Sequence, residues 1–222
     1  MNFAAKSIIS SLTILLISAA LPATATAAPN KKAINLNCKV TTAKGHSIKN
    51  IELPQVKVSQ KNRQITLVTN CGDVVIEADP RQAPVTVAAI SALAKGGFFN
   101  QTICHRLTKN DSNFLHCGDP TATGMGGPNF EYQNENLPVA APGNYPEGTV
   151  AIWNSKEITN GSQFFIVYED DSKHGPNYTL WGKIVKGLDI VKAVAELGSD
   201  NSNGPGDGRP IQPIAIERAT AR

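Results

Sequence analysis

Residues 159–166 read Thr-Asn-Gly-Ser-Gln-Phe-Phe-Ile and run on into Val167 and Tyr168. Apolar, β-branched and aromatic residues after a Gly-containing turn predict a strand from Gln163 to Tyr168. Neighbouring side chains on a strand point to opposite faces, so Phe164 and Phe165 cannot share one environment. Alternation by itself does not say which of the two faces the core. Without its neighbours, the pair would read as core on both sides.

Outward from this strand, the same pattern recurs. Runs at Gln64–Asn70 and Val74–Ala78 flank Cys71-Gly72-Asp73 and predict a hairpin. Further strands are predicted at Ile103–Leu107, Asn113–Cys117, Thr149–Trp153, Thr179–Ile184 and Pro213–Arg218. Only two stretches have helical spacing. Pro84–Lys95 carries Val87, Ile90 and Ala94 between an initial proline and Gly96-Gly97; Leu188–Leu197 carries Val191, Val194 and Ala195 ahead of Gly198. Many short strands with two helices predict a mainly β chain, as a closed barrel or a sandwich. Two long polar loops, 119–148 and 169–177, are where function is expected.

Of the 222 residues, 41% are hydrophobic and 18% charged, too apolar and too weakly charged for a disordered chain. Lys6, the apolar stretch Ile8–Leu21 and the small residues Ala23–Ala28 have the three parts of an export signal. The expected mature protein therefore lies outside the cytoplasm, secreted or periplasmic. In that oxidising setting Cys38, Cys71, Cys104 and Cys117 are expected to form two disulfides; of three connectivities, we favour Cys38–Cys71 with Cys104–Cys117. Zinc is disfavoured, because Cys104-His105 and His116-Cys117 can each offer only one ligand to a given face.

Charge divides the chain. From Ala28 to Arg63, seven lysines and one arginine face the single Glu52, whereas from Gln64 onward twelve basic residues face seventeen acidic ones. A basic arm of this kind suits contact with an anionic polymer or membrane surface, or a fold back onto the acidic body. No aromatics are interleaved with its lysines, so nucleic acid is not expected as a partner. Gly124-Met125-Gly126-Gly127 neither follows an apolar strand nor opens a helix, which argues against a nucleotide site.

Three motifs remain: Cys104-His105-Arg106, the run Cys117–Pro128 with its glycines, and Thr159–Ile166. With Tyr178-Thr179-Leu180-Trp181-Gly182-Lys183-Ile184 in the same order, they resemble the cyclophilin family of peptidyl-prolyl cis-trans isomerases from about Arg63 to Ala219. The resemblance implies a closed eight-stranded antiparallel β-barrel capped by two α-helices, occupying 63–219 behind a signal peptide at 1–28 and a basic extension at 29–62. It also implies proline-containing polypeptides as partners, no cofactor, and a monomer by default.

The implied chemistry suits the residues. A prolyl amide rotates over a barrier of about 20 kcal/mol because rotation destroys amide resonance. A donor to the proline nitrogen, an apolar slot for the ring and polar groups along the backbone lower that barrier, and no nucleophile is needed. By resemblance Arg106 is the donor, Gln163 orients the substrate backbone and Phe165 lines the slot, which leaves its neighbour Phe164 to the core. Asn154 contributes main-chain hydrogen bonds, and Tyr178 and Leu180 lie at the rim. The chain departs from the family at several positions: Asn113 stands where a pocket phenylalanine is usual, with Phe114 one position later, and His116 replaces a glutamine. Trp153 replaces a small alanine, and Lys173-His174 replaces the tryptophan and leucine of cyclosporin-sensitive members, implying weak cyclosporin binding. A neutral His116 could hydrogen-bond Arg106, which predicts activity falling below about pH 6.5.

Two other classes compete with the isomerase. A proline-peptide binding module with little turnover would share the fold, and the altered pocket favours it. A hydrolase would need an activated nucleophile, and Ser162 does not lie in a G-x-S-x-G turn. A guanidinium at 106 turned away from any cleft, or a tryptophan filling the slot itself over Phe165, would rule the isomerase out.

Overall fold

The β-branched run at 63–69 pairs with the run at 72–78, and this hairpin anchors the sheet. In the computed structural model, residues 36–56, 59–110, 112–154, 159–170 and 174–222 are described. The expected signal segment and Lys173 lie outside them. Strands β1 (Arg63–Thr69) and β2 (Gly72–Ala78) meet across Asn70-Cys71, with Thr69 opposite Gly72. Helix α1 (Pro84–Lys95) follows, then β3 (Thr102–Ile103), β4 (Arg106–Thr108), β5 (Phe114–Cys117) and β6 (Tyr132–Gln133). Next come β7 (Thr149–Ile152), β8 (Thr159–Asn160), β9 (Phe164–Val167), β10 (Leu180–Lys186), helix α2 (Leu188–Leu197), β11 (Asp207–Gly208) and β12 (Ala215–Ala221).

Ten of these strands form one antiparallel sheet in the order β11-β4-β5-β9-β7-β10-β2-β1-β12-β3, and β6 pairs separately with β8. The sheet is curled but is not the closed eight-stranded barrel expected from the resemblance. Its two ends are carried by one chain segment: β3 pairs with β12, while β4, three residues on, pairs with β5 and β11. Cys104 and His105 between them leave the strand conformation, so the predicted strand Ile103–Leu107 is split.

Both helices occupy the predicted ranges, because their signals are local. Pro84 begins α1, and a carboxylate distant in sequence supplies the missing cap: Glu135 accepts from the N–H groups of Val85 at 3.3 Å and Thr86 at 2.6 Å. The sheet face that carries Leu107, Leu115, Phe164, Ile166, Val150 and Ile152 joins α1 and α2 in the main core. The opposite face carries Phe114, Ala151, Phe165 and Val167 in a second, smaller cluster. Alternation along β5, β7 and β9 thus separates core from site.

Residues 36–56 of the N-terminal extension form no helix or strand, yet they are tied to the body at several points. Cys38 is bonded to Cys71, and the Lys39 N–H donates to the Asn70 carbonyl at 2.8 Å. The His46 N–H donates to the Pro120 carbonyl at 2.8 Å, Gly45 lies against the Thr121 carbonyl, and Ile51 packs on Gly96 after α1. The second disulfide joins Cys104 to Cys117, giving the favoured connectivity. The Cys38–Cys71 bridge spans 33 residues, so loop-closure entropy assigns it roughly 3 to 4 kcal/mol. Cys38→Ser with Cys71→Ser should lower the free energy of denaturant unfolding by about that amount; a change under about 1 kcal/mol would show that the tie contributes little.

Candidate functional site

Cross-strand register builds the site. Arg106 stands opposite His116, His116 opposite Phe165, and Phe165 opposite Ala151, so β4, β5, β9 and β7 contribute one row on the face away from the core. Phe114, two residues from His116, falls on this face as well; its ring lies 5.2 Å from that of Phe165. Asn113 does not join them. Its Oδ1 accepts from the Asn110 N–H at 3.2 Å, closing the turn before β5.

Arg106 lines a cavity of about 1080 Å³ together with His116, Met125, Trp153, Asn154 and Arg209. Its guanidinium forks onto one carboxylate, with Nε donating to Asp207 Oδ1 at 2.8 Å and Nη2 to Oδ2 at 2.6 Å. Its Cζ also lies 5.5 Å from the Phe114 ring centre and 5.4 Å from that of Trp153, within cation–π range. Arg106 therefore turns to Asp207, and the expected hydrogen bond to His116 is not made. Asp207 gave no signal in the sequence beyond being an acid in an Asn/Gly-rich loop.

Gln163 and Asp119 organise the adjoining glycine-rich loop. The Gln163 amide donates to the carbonyls of Gly124 at 3.0 Å and Gly126 at 2.8 Å. The buried Asp119 carboxylate accepts from the N–H groups of Thr121, Thr123 and Gly124. Burial alone would raise its pKa, but these donors outweigh it and hold it below the usual value. Gly118 sits before it at φ +90, where a Cβ would also collide with the Ser162 carbonyl.

The slot over Phe165 is covered. Trp153 stacks on Tyr178 at 5.1 Å with an interplanar angle of 15°, and His174 stacks on Phe165 at 5.8 Å. Phe165 is left 0% exposed and Phe114 1%. Leu180 packs against this cluster beside Trp153 and Tyr178. The side chain of Asn154 is held by the Asn134 Oδ1 and the Asn177 carbonyl. The Ser162 hydroxyl, 1% exposed, donates to the Gly118 carbonyl, so it is no free nucleophile.

Two imidazoles lie behind Arg106, His105 and His116, with ring centres 4.4 Å apart. Burial depresses the pKa of both. For His116 the effect is large and the neighbouring His105 and Arg106 add to it; for His105 the Asp119 charge opposes it in part. His116 therefore stays neutral well below 6.5, and the expected loss of activity near that pH through two facing cations is withdrawn.

The curled antiparallel sheet thus presents, on the face away from the core, an anchored guanidinium beside an aromatic cluster and a braced glycine-rich loop. The comparisons name the family. Residues 64–221 match the cyclophilin type peptidyl-prolyl cis-trans isomerase/CLD model, and the chain belongs to that family. A probable peptidyl-prolyl cis-trans isomerase B of Mycobacterium tuberculosis is 36% identical over 204 residues, covering 85% of this chain and 65% of the relative. The peptidyl-prolyl cis-trans isomerase CYP18-1 of Arabidopsis thaliana is 32% identical over 158 residues, covering 70% of this chain and 94% of its own. Among solved structures, a cyclophilin type isomerase of Cryptosporidium parvum superposes with a TM-score of 0.63 at 26% identity, covering 73% of this chain and 98% of that one. A second structure of it, in the presence of the dipeptide Ala-Pro, gives 0.61 at 27% identity, covering 72% and 98%.

The two histidines set a pH dependence of stability. Their folded pKa values lie below 6.5, so below about pH 6.5 the unfolded chain takes up protons that the folded chain does not. Stability should be fully present above that pH and decline as the pH falls toward 5. Thermal unfolding should show this decline, and His116→Gln should flatten it; equal slopes in both proteins would contradict it.

Proposed function

We propose that this chain is an exported peptidyl-prolyl cis-trans isomerase that assists the folding of secreted proteins. One observation carries the catalytic part: the guanidinium of Arg106 is fixed at the wall of a wide cavity, and its Nη1 has no hydrogen-bond partner among the described residues. An N–H donor held there suits the proline nitrogen as it loses conjugation and becomes pyramidal. Family membership supports the reading, and slow Xaa-Pro rotation gives such an enzyme a use in folding. Export is supported by the apolar N-terminal stretch after Lys6 and by two disulfides.

A second reading, a proline-peptide binder with little turnover, is favoured by the cover over Phe165. A proline ring reaches that slot only if His174, stacked on Phe165, and the Trp153–Tyr178 pair move aside. An aromatic stack of this kind is worth about 1 kcal/mol beyond its buried area, enough to slow binding without forbidding it.

In a protease-coupled assay on a Xaa-Pro peptide, wild type should accelerate isomerisation and Arg106→Ala should lose about a hundredfold in kcat. Full activity in the variant, or none in wild type, would overturn the isomerase assignment. Trp153→Ala should raise kcat/KM by about fivefold, the factor that about 1 kcal/mol corresponds to; an unchanged or lower value would show that the indole is no barrier.

A further inference from the structure

Arg106 is held by a residue the sequence did not mark. β11 pairs with β4, placing Asp207 opposite Thr108 and Gly208 opposite Leu107. From there the carboxylate reaches diagonally back to Arg106 and takes both N–H groups on one edge of the guanidinium, Nε–H and an Nη2–H. The opposite edge, Nη1, is thereby aimed away from Asp207. A guanidinium is a planar fork, so fixing one edge at two points fixes the direction of all its donors.

The carboxylate is itself held. Asn203 Nδ2 donates to Asp207 Oδ1 at 3.2 Å, and the Asn203 N–H donates to the Asp207 carbonyl at 3.0 Å. The Asp207 N–H donates to the Gly204 carbonyl at 2.9 Å. Asp200 closes the base of the loop, its Oδ1 accepting from the N–H groups of Ser202 at 3.0 Å and Arg209 at 2.8 Å. Gly208 is required there, since a Cβ would collide with that same Asp200 oxygen. The Gly206 carbonyl accepts from the Lys109 N–H at 2.8 Å, tying the loop to the end of β4. The loop 199–209 thus has one rigid product, a carboxylate at a fixed place beside Arg106.

We infer that Asp207 is the positioning residue of the site: it holds the guanidinium of Arg106 by one edge so that the Nη1 edge faces the bound prolyl amide. The inference rests on the isomerase assignment above. Asp207 lines the same cavity as Arg106 and takes no direct part in the bond rotation. Its effect is on the orientation of Arg106, and misplacing a catalytic group by about 1 Å can cost two orders of magnitude in rate. A carboxylate that instead sequestered the guanidinium would give the opposite sign on removal.

The test is steady-state isomerisation by the full chain carrying Asp207→Asn, which keeps the size of the side chain but destroys the two-point acceptor. Expected is a kcat lower by about tenfold, a KM within about twofold of wild type, and no further loss when Asp207→Asn is added to Arg106→Ala. Asp207→Glu, which restores the charge at a longer reach, should recover part of the rate. If Asp207→Asn fails to fold, Asn203→Ala at the exposed loop and Asp207→Glu decide, both falling between wild type and Arg106→Ala. Wild-type kcat in these variants, a raised kcat, or an equal loss in the Arg106→Ala background would overturn the inference and leave the isomerase assignment standing. Wild-type rates in Arg106→Ala itself would overturn both.

Discussion

The site depends on one constraint of register. Arg106, His116, Phe165 and Ala151 stand in a row across four strands, while Leu107, Leu115 and Phe164 alternate with them into the main core. Sliding β5 by a single residue would turn Phe114 and His116 into the core and bring Leu115 and Cys117 to the site. The disulfide from Cys117 to Cys104 and the packing of Phe164 against Phe99 and Trp181 hold that register from the core side. Positions that bear the chemistry are thus fixed by residues that never meet a substrate.

On this frame the polar parts are assembled by loops. Asp119 and Gln163 pull the glycine-rich segment against the strand ends, and Asp207 does the same for the guanidinium. The N-terminal extension adds to the first of these through His46 and Gly45, which meet Pro120 and Thr121. It is a basic strap along the body over 36–56, and one of its contacts lies on the loop that walls the site. The match to the mycobacterial relative spans 85% of the chain, more than the family model over 64–221, so part of this extension is shared with that relative.

Local signals were legible in the sequence, and long-range ones were not. Pro84, Gly96 and Gly198 bound the helices within a few residues, so both ranges were read directly. Strand alternation put Phe164 and Phe165 on opposite faces, and the family resemblance said which of the two faces the site. The split strand at Cys104–His105 was not legible, because nothing in Thr-Ile-Cys-His-Arg-Leu shows where the sheet must change partners. The expected closed barrel failed at this same point. Asp207 meets Arg106 across 101 positions, and no period or motif announces such a pair. Trp153 was marked as bulky, yet its stacking on Tyr178 required the two loops to be placed in space. His116 kept its place in the row but not its expected partner, since a shorter and doubly bonded acceptor was available on β11.

We propose that the anchored guanidinium beside the aromatic cluster speeds rotation of a prolyl amide. NMR exchange spectroscopy on a Xaa-Pro peptide with catalytic amounts of the wild-type chain measures that rotation without a coupled protease. Cross-peaks between the cis and trans signals, with an exchange rate rising in proportion to protein concentration, are the predicted result. Chemical-shift changes that report binding while the exchange rate stays at its uncatalysed value would contradict the account.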